Sequence, residues 1–162
     1  MNEFGVDTDA PKHKNGHITR KMNIVLRLEE QKPKSWTVVH ELITGWPDKG
    51  ICLDSEELAG LVRRMEGYRR VAVHCLAGIG RTATFALACE IARIATAGEE
   101  LDIKELGLEL RKARAGAIQN QRQYIYSIYL SLLALRQKCL PLPDHLEAEI
   151  GQFAKMAMNT PN

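Results

Sequence analysis

Residues 71–82 bring together a cysteine, two glycines and an arginine in a pattern suited to phosphate chemistry. Cys75 ends a short apolar run, and Gly78 and Gly80 then allow backbone N–H groups to converge on an anion. Arg81 adds a bidentate guanidinium at the start of a long apolar helix, whose N-terminus contributes positive potential. Such surroundings can lower a cysteine pKa from ~8.5 to ~3.5–7.5. The segment therefore predicts a thiolate that faces a bound phosphate and attacks it.

A carboxylic acid for the leaving group is available in residues 46–50, which read WPDKG. Asp48 follows Pro47, which stiffens the chain, and precedes Gly50, which lets the segment move. Protonation of a leaving group by a nearby acid accelerates a reaction by roughly 10²–10⁴. We therefore predict that Asp48 is a general acid, with a solvated turn as the alternative interpretation.

Three segments together resemble the protein tyrosine phosphatase family, and in particular its tyrosine-specific branch. The nucleophile loop of that family is His-Cys, five residues, Arg and then Ser or Thr, which residues 74–82 match. Residues 46–50 are similar to its mobile acid loop, and residues 118–124 (IQNQRQY) resemble its glutamine loop. The segments occur in the family's order, and the resemblance extends from about residue 20 to about residue 136.

The resemblance implies hydrolysis of phosphotyrosine in proteins through a phosphocysteine intermediate, with no metal or other cofactor. The implied catalytic residues are Cys75, Asp48, Arg81, Thr82, Gln119 and Gln123. The phosphate is expected to bind at Leu76, Ala77, Gly78, Ile79, Gly80 and Arg81. The implied supporting residues are His74, Trp46, Pro47, Arg111 and Arg114. Taken alone, Gln119 and Gln123 could also be an ordinary helix cap and a solvated helical residue.

Two other functions stay open at this level. A catalytically weak or inactive module that binds phosphotyrosine is one, because only 74 residues precede Cys75 and Leu76 stands where the family usually has Ser. A phosphatase for phosphoserine, phosphothreonine or phosphoinositides is the other. The five residues between Cys75 and Arg81 include no cation for extra phosphates, which disfavours phosphoinositides. Dual-specificity members generally lack the acid and glutamine loops, which disfavours that branch.

Composition predicts an ordinary globular enzyme. Of the 162 residues, 45% are apolar and 26% are charged, and the net charge of +2 predicts no nucleic-acid partner. No apolar run is long enough to cross a membrane, so membrane insertion is not expected. The four cysteines lie far apart without disulfide or metal-ligand spacing, which predicts reduced thiols and a cytoplasmic location: Cys52, Cys75, Cys89 and Cys139. The oligomeric state is left open.

The pattern of elements predicts an α/β fold with a central, mostly parallel or mixed sheet flanked by helices, phosphatase-like with a shortened N-terminal half. Residues 1–20 are expected to be a flexible lead-in and residues 21–158 a catalytic domain. Strands are predicted at residues 22–28, 36–43 and 71–74, and the site is expected at the end of the last of these.

Helix boundaries are predicted from capping residues. Capping boxes at Asp54 and Asp102 each begin a helix, and Gly98 ends the helix that starts near Arg81. A further helix covers residues 120–138, and Asp144 caps a last one after a break at Pro141 and Pro143. The expected buried stripes are Leu58, Leu61, Val62 and Met65 in the first helix, Tyr124, Ile128, Leu132 and Leu135 in the fourth, and Leu146, Ile150 and Phe153 in the last.

Overall fold

A computed structural model describes residues 3–14, 16–29, 31–138 and 144–160 of the chain. The chain forms two compact units, Met1–Gly45 and Trp46–Asn162. The first unit is a sheet of four strands, and the second consists of five helices and the loops between them. This content is that of the predicted α/β class.

The sheet of the first unit is antiparallel throughout. Its strands are β1 (Glu3–Thr8), β2 (Lys12–Lys14), β3 (His17–Arg27) and β4 (Lys34–Ile43). β4 pairs with β3 along almost its whole length, and β1 and β2 pair with successive parts of the other edge of β3. The predicted parallel or mixed sheet is therefore wrong in this detail, because short turns join consecutive strands and such turns produce antiparallel pairs.

Residues 1–20, predicted to be a flexible lead-in, include β1, β2 and the beginning of β3. Their polar composition is typical of strands exposed to water, and every described residue of β1 and β2 is exposed. Composition alone suggests that the backbone of these residues is hydrated, whereas their N–H and C=O groups that face β3 are hydrogen-bonded to it. The domain limits at residues 20 and 158 stay predictions.

The helices of the second unit pack around one central helix. They are α1 (Ser55–Met65), α2 (Arg81–Ala97), α3 (Ile103–Ala113), α4 (Gln121–Lys138) and α5 (Asp144–Asn159). α4 contacts α1, α2 and α5. The side chains of Leu58, Leu87, Tyr126, Leu130 and Leu133 are almost completely buried between them. Among the described residues, no helix has both the length and the apolar character needed to cross a membrane.

The predicted helix caps are confirmed. The Asp54 carboxylate accepts a hydrogen bond from the Glu57 N–H at 3.0 Å, and Asp102 accepts one from the Glu105 N–H at 2.9 Å. Gly98 ends α2 in the left-handed conformation with φ 68°, which glycine adopts without steric cost. These local signals place the helices on which the site residues lie.

The buried faces of two helices differ from the predicted stripes. In α1, Leu58, Leu61 and Val62 are buried as predicted, whereas Met65 is half-buried. In α4 the predicted residues are half-buried, and the buried face consists of Gln123, Ile125, Tyr126, Ser127, Leu130, Ser131, Leu133 and Ala134. A helix with neighbours on several sides has no single apolar stripe, and this makes periodicity a poor guide to its orientation.

The predicted stripe of the last helix is partly described. Ile150 is buried and Phe153 is half-buried, while the side chain of Leu146 lies outside the described residues. Asp144 is the first residue of α5 rather than the residue before it. The predicted break at Pro141 and Pro143 also lies outside the described residues.

Residues 71–74 do not form the predicted strand. The described strands pair only with one another, within residues 3–43, and residues 71–74 take no part in that pairing. Val71 and Val73 are 48% and 38% exposed. A β-branched run needs adjacent strands to accept its backbone hydrogen bonds, and without them its propensity does not produce a strand.

Candidate active site

The nucleophile loop, residues 74–82, wraps its backbone around the Cys75 sulfur. The Gly78 N–H donates a hydrogen bond to Cys75 Sγ at 3.3 Å. Gly78 has φ +73°, a conformation that a residue with a Cβ rarely adopts. Gly80 is the N-cap of α2, and its carbonyl accepts the N–H of Thr84 at 3.0 Å. The sulfur therefore lies at the start of a helix, as the sequence predicts.

The surroundings of Cys75 stabilise its thiolate. Burial by itself raises the pKa of the thiol, because a charged sulfur loses solvation. The Thr82 hydroxyl, the N–H groups of Thr82 and Gly78, and the positive charge of Arg81 outweigh that effect and lower the pKa to about 7. Cys89 on α2 shows the opposite case, because burial and nearby carboxylates raise its pKa to about 12. Of these two thiols, that of Cys75 is the one that forms a reactive thiolate near neutral pH.

Arg81 connects the nucleophile loop to the acid loop, residues 46–50. Its Nη1 donates to the Trp46 carbonyl at 2.9 Å, and its Nη2 lies 3.5 Å from the Asp48 carboxylate. Asp48 is 59% exposed, so the ion pair is a weak one that a bound anion could replace. The buried Nε of Arg81 has no hydrogen-bond partner within the described part of the chain. A donor remains for a ligand in the cradle.

The acid loop is a tight turn anchored by Trp46. The buried indole N–H donates to the Gly50 carbonyl at 2.9 Å, which closes the loop on itself. A Cβ on Gly50 would lie 2.9 Å from Pro47 Cγ, so the turn requires glycine there. Lys49 has φ +56°, a left-handed conformation that costs a residue with a side chain ~1–2 kcal/mol. Asp48 therefore lies in a short, strained turn between Trp46 and Gly50, which are joined by a hydrogen bond.

Tyr126 of α4 contacts the acid loop through its ring and the residues just after that loop through its hydroxyl. Its ring packs edge-to-face against Trp46 with centroids 5.8 Å apart. Its hydroxyl lies 2.9 Å from Ser55 Oγ and donates to the Cys52 carbonyl at 3.4 Å. Burial raises the pKa of Tyr126, so the phenol stays neutral and keeps its proton for these bonds. The sequence predicts no such role for Tyr126, because an aromatic residue in an apolar helix gives no signal of it.

Two arginines with a predicted supporting role bind the backbone of the glutamine loop, residues 118–124, and of the nucleophile loop. Arg111 donates from Nε to the Ala117 carbonyl and from Nη2 to the Ile118 carbonyl, both at 3.0 Å. Ile118 adopts φ +61°, and its N–H donates to the Ile79 carbonyl at 2.8 Å. Arg114 Nη2 donates to the Ala77 carbonyl at 3.1 Å. Both predicted arginines therefore contact backbone of the nucleophile or glutamine loop.

Gln119 and Gln123 both lie against the nucleophile loop at Gly80. The Gln119 N–H donates to Gln123 Oε1 at 3.0 Å. A Cβ on Gly80 would lie 3.0 Å from Gln123 Nε2 and would collide with Gln119 Oε1. Gln123 is fully buried, and its Nε2 has no hydrogen-bond partner among the residues that the structure describes. Two amides therefore converge beside the cradle, and one has an unused buried donor.

Several predicted site residues lie at the surface. His74 is exposed, Leu76 is 88% exposed, and Pro47 and Ala77 are exposed as well. Ile79 is half-buried and interacts through its carbonyl with the glutamine loop. The structure therefore brings together the predicted catalytic residues. Leu76 and Ala77, the first two residues of the predicted phosphate-binding segment, are exposed to solvent.

The chain is similar in sequence to a known family and to several of its members. A family model described as protein-tyrosine phosphatase matches residues 1–133. Human receptor-type tyrosine-protein phosphatase C is 32% identical over 114 residues, which cover 67% of this chain and 9% of that protein. A protein-tyrosine-phosphatase of Arabidopsis thaliana is 28% identical over 110 residues, which cover 64% of this chain and 32% of that protein.

Solved structures show the same likeness. The crystal structure of a protein tyrosine phosphatase from Trypanosoma cruzi superposes with a TM-score of 0.67 at 27% identity, over 93% of this chain and 51% of that one. This chain thus spans about half the length of that protein. The family match covers most of the chain, including the nucleophile loop and the acid and glutamine loops that contact it. The chain belongs to the protein-tyrosine phosphatase family.

Proposed function

We propose that this chain hydrolyses phosphotyrosine in proteins through a phosphocysteine intermediate on Cys75. The observation that carries the proposal is the Cys75 sulfur, which accepts the Gly78 N–H at 3.3 Å and has a pKa of about 7. A thiolate in a cradle of backbone donors suits attack on a phosphate monoester. Membership of the family supports the same chemistry.

The first step transfers the phosphoryl group to sulfur. The Cys75 thiolate attacks phosphorus in line, an S–P bond forms, and the P–O bond to the phenol breaks. Arg81 and the loop N–H groups stabilise the charge on the equatorial oxygens. The unused Nε of Arg81 is available for one of these contacts. Asp48, held near Arg81 by the acid loop, gives its proton to the phenolate oxygen.

The second step returns the thiolate. Water attacks phosphorus, the S–P bond breaks, and ionised Asp48 accepts the proton of the water. Gln119 and Gln123 orient that water, a role supported by the buried and unused Nε2 of Gln123 beside Gly80. The Thr82 hydroxyl stabilises the departing sulfur, in line with its part in lowering the pKa of Cys75.

A phosphotyrosine substrate is favoured over a phosphoinositide. The five residues between Cys75 and Arg81 carry no cationic side chain that could bind additional phosphates. The relatives are described by their names as tyrosine phosphatases. A reducing compartment protects a catalytic thiolate from oxidation, which supports our proposal that the enzyme is cytoplasmic.

A second candidate function is a module that binds phosphotyrosine without turning it over. It is favoured by the exposure of Val71 and Val73 and by the irregular backbone of residues 71–74, which leave the N-terminal side of the nucleophile loop weakly held. Such a module would keep the phosphate cradle but hold Cys75 too loosely for rapid chemistry.

Hydrolysis of a phosphotyrosine peptide by the purified chain decides between the two functions. We expect turnover that Cys75→Ser abolishes and that Asp48→Asn lowers by roughly 10²-fold or more. Cys89→Ser is the matched control, since that thiol lies on α2 with a raised pKa. Binding of the peptide without turnover by the folded chain would contradict the enzymatic proposal and favour the module.

A further inference from the structure

One side chain links the acid loop to the glutamine loop. Asn120 Oδ1 accepts a hydrogen bond from the Gln123 N–H at 2.8 Å and so caps the start of α4. Its Nδ2 donates to the Lys49 carbonyl at 2.9 Å, 71 residues away in sequence. The two ends of one amide therefore serve two different segments.

The bond to Lys49 acts on the residue directly after Asp48. On the other side of Asp48, the Trp46 carbonyl accepts a hydrogen bond from Arg81 at 2.9 Å. Asp48 is itself exposed, and the side-chain contact that the described residues give it is a 3.5 Å ion pair with Arg81, so its position depends on the backbone to either side. Lys49 is in a left-handed conformation that persists only where its surroundings hold it, and Asn120 supplies a bond to its carbonyl.

We propose that Asn120 is a positioning residue that holds the acid loop against the glutamine loop and so keeps Asp48 beside the leaving group. The inference rests on the proposed role of Asp48 as the general acid. Asn120 acts through the Lys49 backbone and does not touch the reacting atoms. Loss of the Nδ2 donor therefore affects the reaction only through the delivery of the Asp48 proton. Loss of the Oδ1 acceptor affects the start of α4.

Two substitutions separate the donor from the cap. Asn120→Ser and Asn120→Asp each keep an oxygen that can cap α4, and both side chains are good N-caps. Ser is too short to reach the Lys49 carbonyl, and the Asp carboxylate has no proton to donate to it. The two variants differ in charge, so an effect shared by both comes from the lost donor. Gln137→Ser is the matched control, because Gln137 also donates from α4 to a backbone carbonyl, that of Glu56 at 2.9 Å.

The kinetic test uses a series of aryl phosphates whose phenols differ in pKa. For both Asn120 variants we expect kcat/KM to fall about tenfold for phosphotyrosine, the loss expected for one hydrogen bond. The fall should be much smaller for phenols acidic enough to leave without a proton, so the dependence on leaving-group pKa steepens. An equal loss across the series, or no loss in Asn120→Ser, would overturn the proposal. Gln137→Ser should keep the wild-type dependence.

Amide hydrogen exchange tests the same inference without turnover. The Gly50 N–H donates to the Pro47 carbonyl at 3.2 Å within the acid loop, so its exchange reports how often that loop opens. We expect about tenfold faster exchange at Gly50 in both Asn120 variants, with the exchange of α4 unchanged. Unchanged exchange at Gly50 overturns the inference even if the chain is active. Faster exchange in a chain that lacks turnover sustains the positioning role and contradicts the proposed enzymatic function.

Discussion

The two halves of the segment that carries the nucleophile differ sharply in how they are held. On the C-terminal side, Gly80 is buried, Arg81 opens α2, and the Ile79 carbonyl accepts a hydrogen bond from Ile118. On the N-terminal side, residues 71–74 are exposed and belong to no strand. Cys75, half-buried, lies at the junction of the two.

The difference shows which interactions build the cradle. Its donors come from glycine conformations, the start of a helix and an adjacent loop, all of which form within the second unit. The strand that should precede it depends on neighbouring strands, because a strand satisfies its backbone only by pairing. The chemistry of the site is therefore specified more locally than the sheet that the sequence predicts beside it.

The largest effect expected from this contrast is on stability. Leu87 is fully buried in a cluster that includes Ala83, Ala117 and Ile118, so it joins α2 to the glutamine loop. Leu87→Ala should lower the free energy of unfolding by about 2–5 kcal/mol. Val73→Ala, the matched apolar truncation on the exposed side, should change it by about 0.5 kcal/mol or less. Urea unfolding measures both, and equal losses would contradict the contrast.

A smaller loss, seen in activity rather than stability, is expected at Gly80. A Cβ there collides with the end of the Gln119 side chain, which can swing away, and lies 3.0 Å from Nε2 of Gln123, which must shift slightly. Gly80→Ala should therefore displace Gln119 and leave the fold intact. Turnover should fall by roughly 10²-fold, as expected when a catalytic water loses its orientation. Because the second step is the one impaired, phosphocysteine should accumulate in rapid-quench experiments.

Gly151→Ala is the matched control for that substitution. It lies in α5 with no atom within 4 Å of the added Cβ, so it should leave turnover at the wild-type level and raise stability by about 0.5–1 kcal/mol. A Gly80→Ala enzyme with wild-type turnover would show that Gln119 is not required where the structure places it.

The smallest effect concerns the pH dependence of Cys75. Alkylation by iodoacetamide should follow the thiolate with a midpoint near pH 7, whereas half-buried Cys89, whose pKa is raised to about 12, should not react at these pH values. Thr82→Ala removes the first of the groups that lower the pKa and should move the midpoint to higher pH. A midpoint above pH 8 in the wild type would show that the cradle does not stabilise the thiolate.

The same pKa gives a stability prediction with a defined sign. The native thiol loses its proton near pH 7 and the unfolded one near its ordinary, higher pKa, so the folded form binds fewer protons between these values. The contribution of Cys75 to stability is therefore complete above the ordinary pKa and is lost as the pH falls through about 7. Comparison of the unfolding free energy of the wild type and Cys75→Ser across this range measures it.

The sequence predicts the features that short-range interactions determine. The caps at Asp54 and Asp102 and the end of α2 at Gly98 depend on residues within a few positions of one another. The acid, nucleophile and glutamine loops are predicted because each resembles a short contiguous motif of a family, whereas the bonds that hold the loops together join distant residues. The strand at residues 71–74, the strands within residues 1–20 and the buried face of α4 depend on distant partners.

Asn120 and Tyr126 escaped prediction for the same reason. The sequence presents Asn120 as one polar residue among several glutamines, and its bond to Lys49 joins segments 71 residues apart. Tyr126 is one of several aromatic residues of α4, and only the fold shows that it packs against Trp46. Capping and periodicity do not encode contacts of that range.

We propose that the cradle formed by the nucleophile loop and the start of α2 makes Cys75 a nucleophile in this chain. The most direct test is a rapid quench of Gln119→Ala with a phosphotyrosine peptide, followed by mass spectrometry of the cysteine-containing peptides, with Cys75→Ser beside it. We predict a phosphoryl group on Cys75 at close to one per active chain, none on Cys89, and none in Cys75→Ser. A folded chain that binds the peptide and never carries phosphate on Cys75 would contradict the claim.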